Sequence, residues 1–159
     1  MVTITHVESV DVVALAQSVL KRMKEVIEEK GINVSLGEHM PEKEFLVEAD
    51  LEMMRIVLVN FISNAVKYAH KEIVIDVSES GRKVKFTIMN DGQSIDKEKL
   101  DKVWDEFYKD DKRENSRLGS SGLGLAITKN ILILHDAKYG CKSQDGKTVF
   151  WFEMKKNKG

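Results

Sequence analysis

The stretch DLEMMRIVLVNFISNAVKYA, residues 50–69, decides the fold. Asp50 can cap a helix that runs to about Ala69. At roughly 100° per residue, Leu51, Met54, Leu58, Phe61, Ile62, Ala65 and Ala69 fall on one face, while Asn60, Asn64 and Lys67 line up nearly opposite. That polar stripe is bordered by Met53, Ile56 and Val57 instead of charges. The spacing therefore predicts a helix covered in part on both sides, with two asparagines and a lysine held in an apolar surround.

Immediately downstream, residues 73–77 and 84–88 alternate apolar and polar around Glu79-Ser80-Gly81-Arg82, the pattern of an antiparallel hairpin. Val84, Phe86 and Ile88 share parity with Asn90, so a core-facing strand places the Asn90 amide at the rim of the same face. Asp91-Gly92 then breaks the strand. Residues 96–108 suit a short helix, and 109–121 (KDDKRENSRLGSS) are almost wholly polar or small, the composition of a mobile loop. Gly122-Leu123-Gly124-Leu125 opens a third long helix with Leu123, Ala126, Ile127, Ile131 and Leu134 inward, ending near His135. Residues 138–143 and 148–154 read as closing strands joined through Asp145-Gly146.

Upstream of the decisive helix, Ser9 or Asp11 can cap another, whose apolar positions Val12, Leu15, Ala16, Val19, Leu20, Met23, Val26 and Ile27 recur every three to four residues. Gly31 stops it. Lys21, Lys24, Glu25, Glu28 and Glu29 form its solvated face. Residues 32–36 and 45–47 read as short strands around a loop holding the sole proline, Pro41, and Val2-Thr3-Ile4 is strand-like. Helices interleaved with paired strands predict helices stacked on one face of a mixed sheet.

The whole chain has 159 residues, 42% apolar and 32% charged, as one soluble globular domain over 1–159 would have. A chain of this mass buries about two-thirds of its surface on folding. Lys plus Arg (25) and Asp plus Glu (26) nearly cancel, which argues against a general nucleic-acid or acidic-membrane binder. Cys141 is the only cysteine, so a disulfide framework or a cysteine-rich zinc site is excluded, and a reducing compartment fits. No apolar run approaches the roughly 20 residues needed to span a bilayer, and the amino end lacks a basic-then-apolar export signal.

Glycines just ahead of a helix leave backbone N–H groups bare along a positive dipole, so the Gly122 region is suited to an anion. Asn60, Asn64 and Lys67 add groups suited to a hydrated magnesium ion and a phosphate oxygen. With the Asn90 rim, an apolar surround and a flexible basic loop, these features describe a nucleotide pocket with a lid at 109–121.

Four boxes, NFISNAVKYA (60–69), NDGQSI (90–95), DEFYK (105–109) and SSGLGLAI (120–127), stand in an order and at a spacing that resemble the ATP-binding catalytic domain of bacterial sensor histidine kinases, within the superfamily that includes gyrase, Hsp90 and MutL. The resemblance covers nearly the whole chain. It implies an α/β two-layer sandwich of the Bergerat type: a mixed, mostly antiparallel sheet of about five strands packed against three helices. It also implies ATP and Mg2+ as ligands, with Asn64 on the metal and Lys67 on a phosphate.

By the same resemblance, Asn90 stands where the family most often has an aspartate that accepts the adenine amino hydrogen, a bond an amide oxygen can also accept. Gly92 would allow close approach to the base, Ile95 and Tyr68 would flank it, and Thr148 would lie near the adenine end. Phe107 and Tyr108 match an aromatic box that anchors the lid. Lys109 and Arg117 match basic residues that reach the triphosphate, and the segment Gly122, Leu123, Gly124 and Leu125 matches the phosphate cradle. Two positions depart from the family pattern: Ser94 replaces the second glycine of the adenine box and Ser120 the first of the lid box, with Gly119 able to serve as a hinge.

Members that hydrolyse ATP themselves place a glutamate where this chain has Asn60, and an amide is no general base at neutral pH, so autonomous hydrolysis is expected to be slow. Asn60, Asn64 and Lys67 are the candidate catalytic residues. None of His6, His39, His70 and His135 sits in a helical His-acidic motif of the phosphoacceptor type. The resemblance thus implies a catalytic half whose partners are a histidine-bearing dimerisation domain and, indirectly, a response regulator. It implies a cytoplasmic domain without direct membrane contact, in a parent anchored in the cell membrane. The alternatives are a stand-alone anti-sigma-type serine kinase, against which Asn60 counts, and a non-catalytic nucleotide-sensing module.

Overall fold

The computed structural model describes residues 4, 6–38, 40, 44–92, 94–106 and 124–157. Its elements run β1 (Glu8–Asp11), α1 (Val12–Arg22), α2 (Lys24–Glu29), β2 (Asn33–Leu36), β3 (Leu46–Ala49), α3 (Leu51–Tyr68), β4 (Glu72–Ser80), β5 (Lys83–Asn90), α4 (Gly124–Leu134), β6 (Lys138–Gln144) and β7 (Lys147–Lys155). Five strands form one sheet in the order β2-β4-β5-β7-β6. Only β2 joins in parallel, against β4; the other three pairings are antiparallel. The mixed, mostly antiparallel sheet predicted above is the sheet observed. β1 and β3 form a separate two-stranded ribbon.

One face of the sheet is apolar because the strands alternate: Ile73, Ile75 and Val77 of β4, Val84, Phe86 and Ile88 of β5, and Phe150, Phe152 and Met154 of β7 are buried. Helix α3 lays Met54, Leu58, Phe61, Ile62 and Ala65 against them. Phe61 is the hub, its ring 5.8–6.2 Å from those of Phe86, Phe150, Phe152 and Trp104. Each such side chain contributes roughly 1.5–3 kcal/mol by leaving water. Asp50 caps α3 through Met53 N (3.1 Å), and Asp11 caps α1 through Val13 N (3.0 Å). The β6–β7 turn places Asp145 and Gly146 both at positive φ, the conformation these residues tolerate best.

Three expectations need correction. The first predicted helix is two, α1 and α2, separated at Met23, whose N–H bonds back to Val19 and Leu20; the break leaves Leu20, Met23 and Val26 half-covered while Ile27 reaches the core. Residues 96–106 form two 3₁₀ turns, Lys97–Lys99 and Lys102–Trp104, instead of a helix, since only Val103 and Trp104 there are buried and no apolar stripe sustains a longer one. In α4 the inward face is Ala126, Thr128, Ile131 and Leu132, with Ile127 (43%) and Leu134 (37%) exposed. A polar Thr128 on the buried face shifts the phase from the one that apolar residues alone suggest. The strand β1 was not foreseen. Among the described residues no helix is long and apolar enough to cross a membrane.

Candidate functional site

The polar stripe of α3 is where the rest of the candidate site attaches. Asn60 Nδ2 donates to Gly124 O (2.9 Å) and to Thr128 Oγ1 (3.1 Å), and Thr128 Oγ1 donates to Gly124 O (2.9 Å). Thus the first turn of α4, the end of a helix whose N–H groups and positive dipole suit an anion, is fixed beside the middle of α3. Asn60 is a holding residue in this arrangement, since both its amide hydrogens are directed at α4.

Two turns on, the C-terminal end of α3 is clamped from two sides. Lys30 Nζ donates to the carbonyls of Val66 and of Lys67, the latter at 3.1 Å, a cation meeting the negative end of the helix. Asp91 accepts from the N–H groups of His70 (2.8 Å) and Lys71 (2.9 Å). Partial burial pulls the Asp91 carboxyl up, and the backbone N–H groups of Glu72, Lys71, His70 and Asp91 itself outweigh it, holding its pKa below the ordinary aspartate value. This clamp brings the β5 exit against α3: a β-carbon on Gly92 would stand 2.1 Å from Tyr68 O, so packing dictates the glycine. Gly124 differs. A β-carbon there would meet nothing nearer than the Asn60 side chain at 3.5 Å, so packing does not demand it.

Asn90 is buried at 1% exposure, and its Oδ1 accepts from Gly92 N (3.0 Å) while its Nδ2 has no partner among the described residues. One row crosses four strands at this level: Ile73, Asn90, Thr148 and Ser143 are successive register partners. Thr148 is fully buried, its Oγ1 2.7 Å from Ser143 Oγ, which also accepts from Ile95 N (2.7 Å). Ile95 is buried and Tyr68 half-buried. Ser94 is not idle in its altered box: its Oγ accepts from Gly146 N (2.8 Å), tying the loop to the β6–β7 turn.

Asn64 is half-buried, and its Nδ2 has no partner among the described residues. Lys67 is buried at 6% exposure with Nζ 5.2 Å from the centre of the Tyr68 ring. Among the described residues no three His, Cys, Asp or Glu side chains gather as a metal site. Asn60, Asn64, Lys67, Tyr68, Asn90, Gly92, Ile95, Gly124, Leu125 and Thr148 are therefore carried by α3, the β5 exit, the start of α4 and the start of β7, the first three of these joined by the contacts just given. Phe107, Tyr108, Lys109, Arg117, Gly122 and Leu123, with the expected lid at 109–121, lie outside the described residues.

Four contributors escaped the sequence reading: Ser143, Thr128, Lys30 and Asp91. Ser143 carried the same signal as Asn90, a polar residue ending an inward-facing parity. Thr128 lies four residues after Gly124 but reads as an ordinary helix position. Lys30 and Asp91 act through backbone groups distant in sequence, and nothing local announces them.

The three described histidines separate cleanly; His39 lies outside the described residues. His135 Nε2 accepts from Asp50 N (3.1 Å), so its Nδ1 carries the proton and donates to Ile131 O (2.8 Å), joining the end of α4 to the start of α3. His6 pairs with Glu8 at the surface and His70 is exposed.

A family profile described as "Histidine kinase-, DNA gyrase B-, and HSP90-like ATPase" matches residues 49–158. The sensor histidine kinase WalK of Bacillus subtilis is 35% identical over 119 residues, which cover 72% of this chain and 20% of that protein. The chain thus spans about a fifth of this relative's length. The catalytic domain of histidine kinase ThkA superposes with a TM-score of 0.83 at 24% identity over 96% of this chain and 97% of that one. Full-length ShkA, solved in complex with AMPPNP, superposes with a TM-score of 0.81 at 26% identity over 96% of this chain and 32% of that one.

Proposed function

The chain belongs to the histidine kinase-, DNA gyrase B- and HSP90-like ATPase family, and from that premise we propose that it is the ATP-binding catalytic domain of a two-component sensor histidine kinase. Its work is to hold Mg·ATP and present the γ-phosphate to a histidine on a separate dimerisation domain. One observation carries this reading: the first turn of α4 and the β5 exit both attach to the same edge of α3, at Asn60 and at Tyr68. Eight residues of helix separate them, roughly 12 Å along the axis, room for a nucleotide laid from base to phosphates.

The base end is Asn90 and Thr148 with Ile95 and Tyr68 beside them. The phosphate end is the first turn of α4, where N–H groups neutralise charge without a side chain. Asn64 lies between. Its Nδ2 is buried with no partner among the described residues, and its oxygen would be the ligand for a hard cation that takes its other ligands from phosphate and water. Bound magnesium would supply charge neutralisation on the phosphates. Lys67, one turn further, adds a second positive charge. Catalysis on this side is positioning plus electrostatics, and the nucleophile and its proton acceptor come from the partner domain. Asn60 in place of a base keeps water from being activated. No observation favours a self-contained serine kinase or a non-catalytic sensor. The parent would be a membrane-anchored kinase that passes the phosphoryl group on to a response regulator.

Calorimetric titration with ATP, with and without magnesium, tests the ligand; mixing the chain with a helical histidine-bearing segment and labelled ATP tests the reaction. Magnesium-dependent binding and an acid-labile phosphohistidine are the expected results. No heat with Mg·ATP sinks the reading.

A further inference from the structure

We propose that His135 is a positioning residue for the phosphate end of the site: its unprotonated ring holds α4 to the start of α3, and taking up a proton releases that hold and weakens nucleotide binding. The inference rests on the reading of the first turn of α4 as the phosphate end and goes beyond it in naming what keeps that helix in place and what frees it.

Apolar packing holds α4 thinly. Ala126, Thr128, Ile131 and Leu132 are buried, while Ile127, Ile133 and Leu134 are exposed. Two polar tethers supplement it: Asn60 at Gly124 and Thr128, and His135, roughly 10 Å beyond Thr128 along the axis, at the backbone of Asp50. The His135 ring is fixed from behind. Asp136 at positive φ and the Ala137 N–H on Leu132 O (2.9 Å) close the end of α4, and His135 Nδ1 donates to Ile131 O (2.8 Å). With that nitrogen committed as a donor, only Nε2 can receive the Asp50 N–H, at 3.1 Å, and it does so only while its lone pair is free.

A proton on Nε2 sets N–H against N–H. Asp50 is 8% exposed, so its N–H loses its acceptor where little water can replace it, a costly state. The charged groups of the elements that meet here pull both ways: the carbonyl end of α4 and the Asp50 carboxylate attract a positive ring, and the N–H end of α3 repels it. Asp50 is already committed, since its Oδ1 caps α3 at Met53 N (3.1 Å). Glu52 of α3 is exposed beside Arg55 (3.6 Å), and Glu48 of β3, Asp136 and Lys138 are exposed, where solvent screens them. The direct contact at Nε2 therefore decides, and it disfavours the proton. Imidazole is the side chain whose charge ordinarily changes between about pH 5 and 8, so the hold on α4 is lost as pH falls through that interval.

Nitrogen-15 spectra of the wild-type chain at about pH 8 should show the His135 proton on Nδ1 and a bare Nε2. From there to about pH 5.5 the exchange protection of the α4 amides should fall about tenfold while that of β5 and β7 holds. Mg·ATP affinity should fall by a similar factor relative to His135→Gln, whose amide oxygen can accept from Asp50 N and does not titrate. That comparison cancels the protonation of the nucleotide itself and of His6 and His70. A proton on Nε2 at the higher pH, or α4 protection that holds or rises in acid, overturns the proposal whether or not a nucleotide binds. Protection that falls while the affinity ratio stays flat overturns the positioning role and leaves the ATP site standing. A wild type that binds no Mg·ATP at the higher pH removes the nucleotide reading and the positioning role together. The wild-type spectra and exchange decide the matter even if the variant fails to fold.

Discussion

The backbone of Gly92 passes so close to the last turn of α3 that a β-carbon on it would stand 2.1 Å from the carbonyl oxygen of Tyr68, whereas one on Gly124 would meet only ordinary contacts at 3.5 Å. Two glycines of the same candidate pocket are thus glycine for different reasons. Gly92→Ala must push the β5 exit away from α3 and is expected to cost about 2–3 kcal/mol. The melting midpoint should fall by roughly 5–10 °C.

Gly124→Ala should leave stability within about 0.5 kcal/mol, since alanine is a better helix former and the site has room. Nucleotide affinity should nevertheless drop roughly tenfold, the worth of one charge-assisted contact from a backbone N–H that the new methyl obstructs. Melting curves with and without Mg·ATP separate the two effects. A stability loss equal to that of Gly92→Ala would show that packing, not a ligand, requires this glycine.

Asn64→Ala removes an amide whose nitrogen has no partner among the described residues, so no hydrogen bond from that nitrogen to them is lost. Its melting midpoint without ligand should stay within a few degrees of wild type, as for a substitution worth under about 0.5 kcal/mol. The extra thermal stabilisation that magnesium adds to ATP should vanish. An Asn64→Ala chain that does not fold would instead make the amide a structural group.

The periodicities carried most of the fold and part of the site, and each failure has a physical origin. The hairpin, the closing strands and α3 came out because alternation and the 3.6-residue repeat report burial directly, as Phe86, Phe150 and Phe61 do in the core. The phase of α4 was missed because Thr128 faces inward, held by Asn60, and apolar counting gives a threonine no weight. Asn90 was legible from parity alone. What parity could not supply was the bond from Gly92 N that orients its amide. Lys30 and Asp91 were invisible because they act on carbonyl and N–H groups that every residue possesses.

Asn60→Ala would strand nothing on its own helix but would release Gly124 O and Thr128 Oγ1 from α3. Thr128 still reaches Gly124 O at 2.9 Å, so the loss is partial, about 1–3 kcal/mol for two part-buried bonds. The effect should be local. Amide hydrogen exchange in the first turns of α4 should quicken while that of β4 and β5 is unchanged, since low-stability segments open without global unfolding. Uniform acceleration across the sheet would assign Asn60 to the global core instead.

Asp91 sets the direction of the acid response at the end of α3. Its folded pKa lies below the ordinary value of 3.8, because N–H groups from His70, Lys71 and Glu72 favour the carboxylate more than partial burial opposes it. The unfolded chain therefore binds this proton more readily than the folded one, and stability rises with pH across that interval. The contribution is fully present above the unfolded value of about 3.9 and is lost as pH falls through the folded one. Asp91→Asn keeps an acceptor oxygen but carries no charge to titrate. The stability gap between wild type and variant, measured by denaturant melts, should be constant from neutrality to about pH 5 and close below about pH 4. A gap that widens in acid would mean that the backbone contacts favour the protonated carboxyl, and would leave the α3 clamp resting on Lys30 alone.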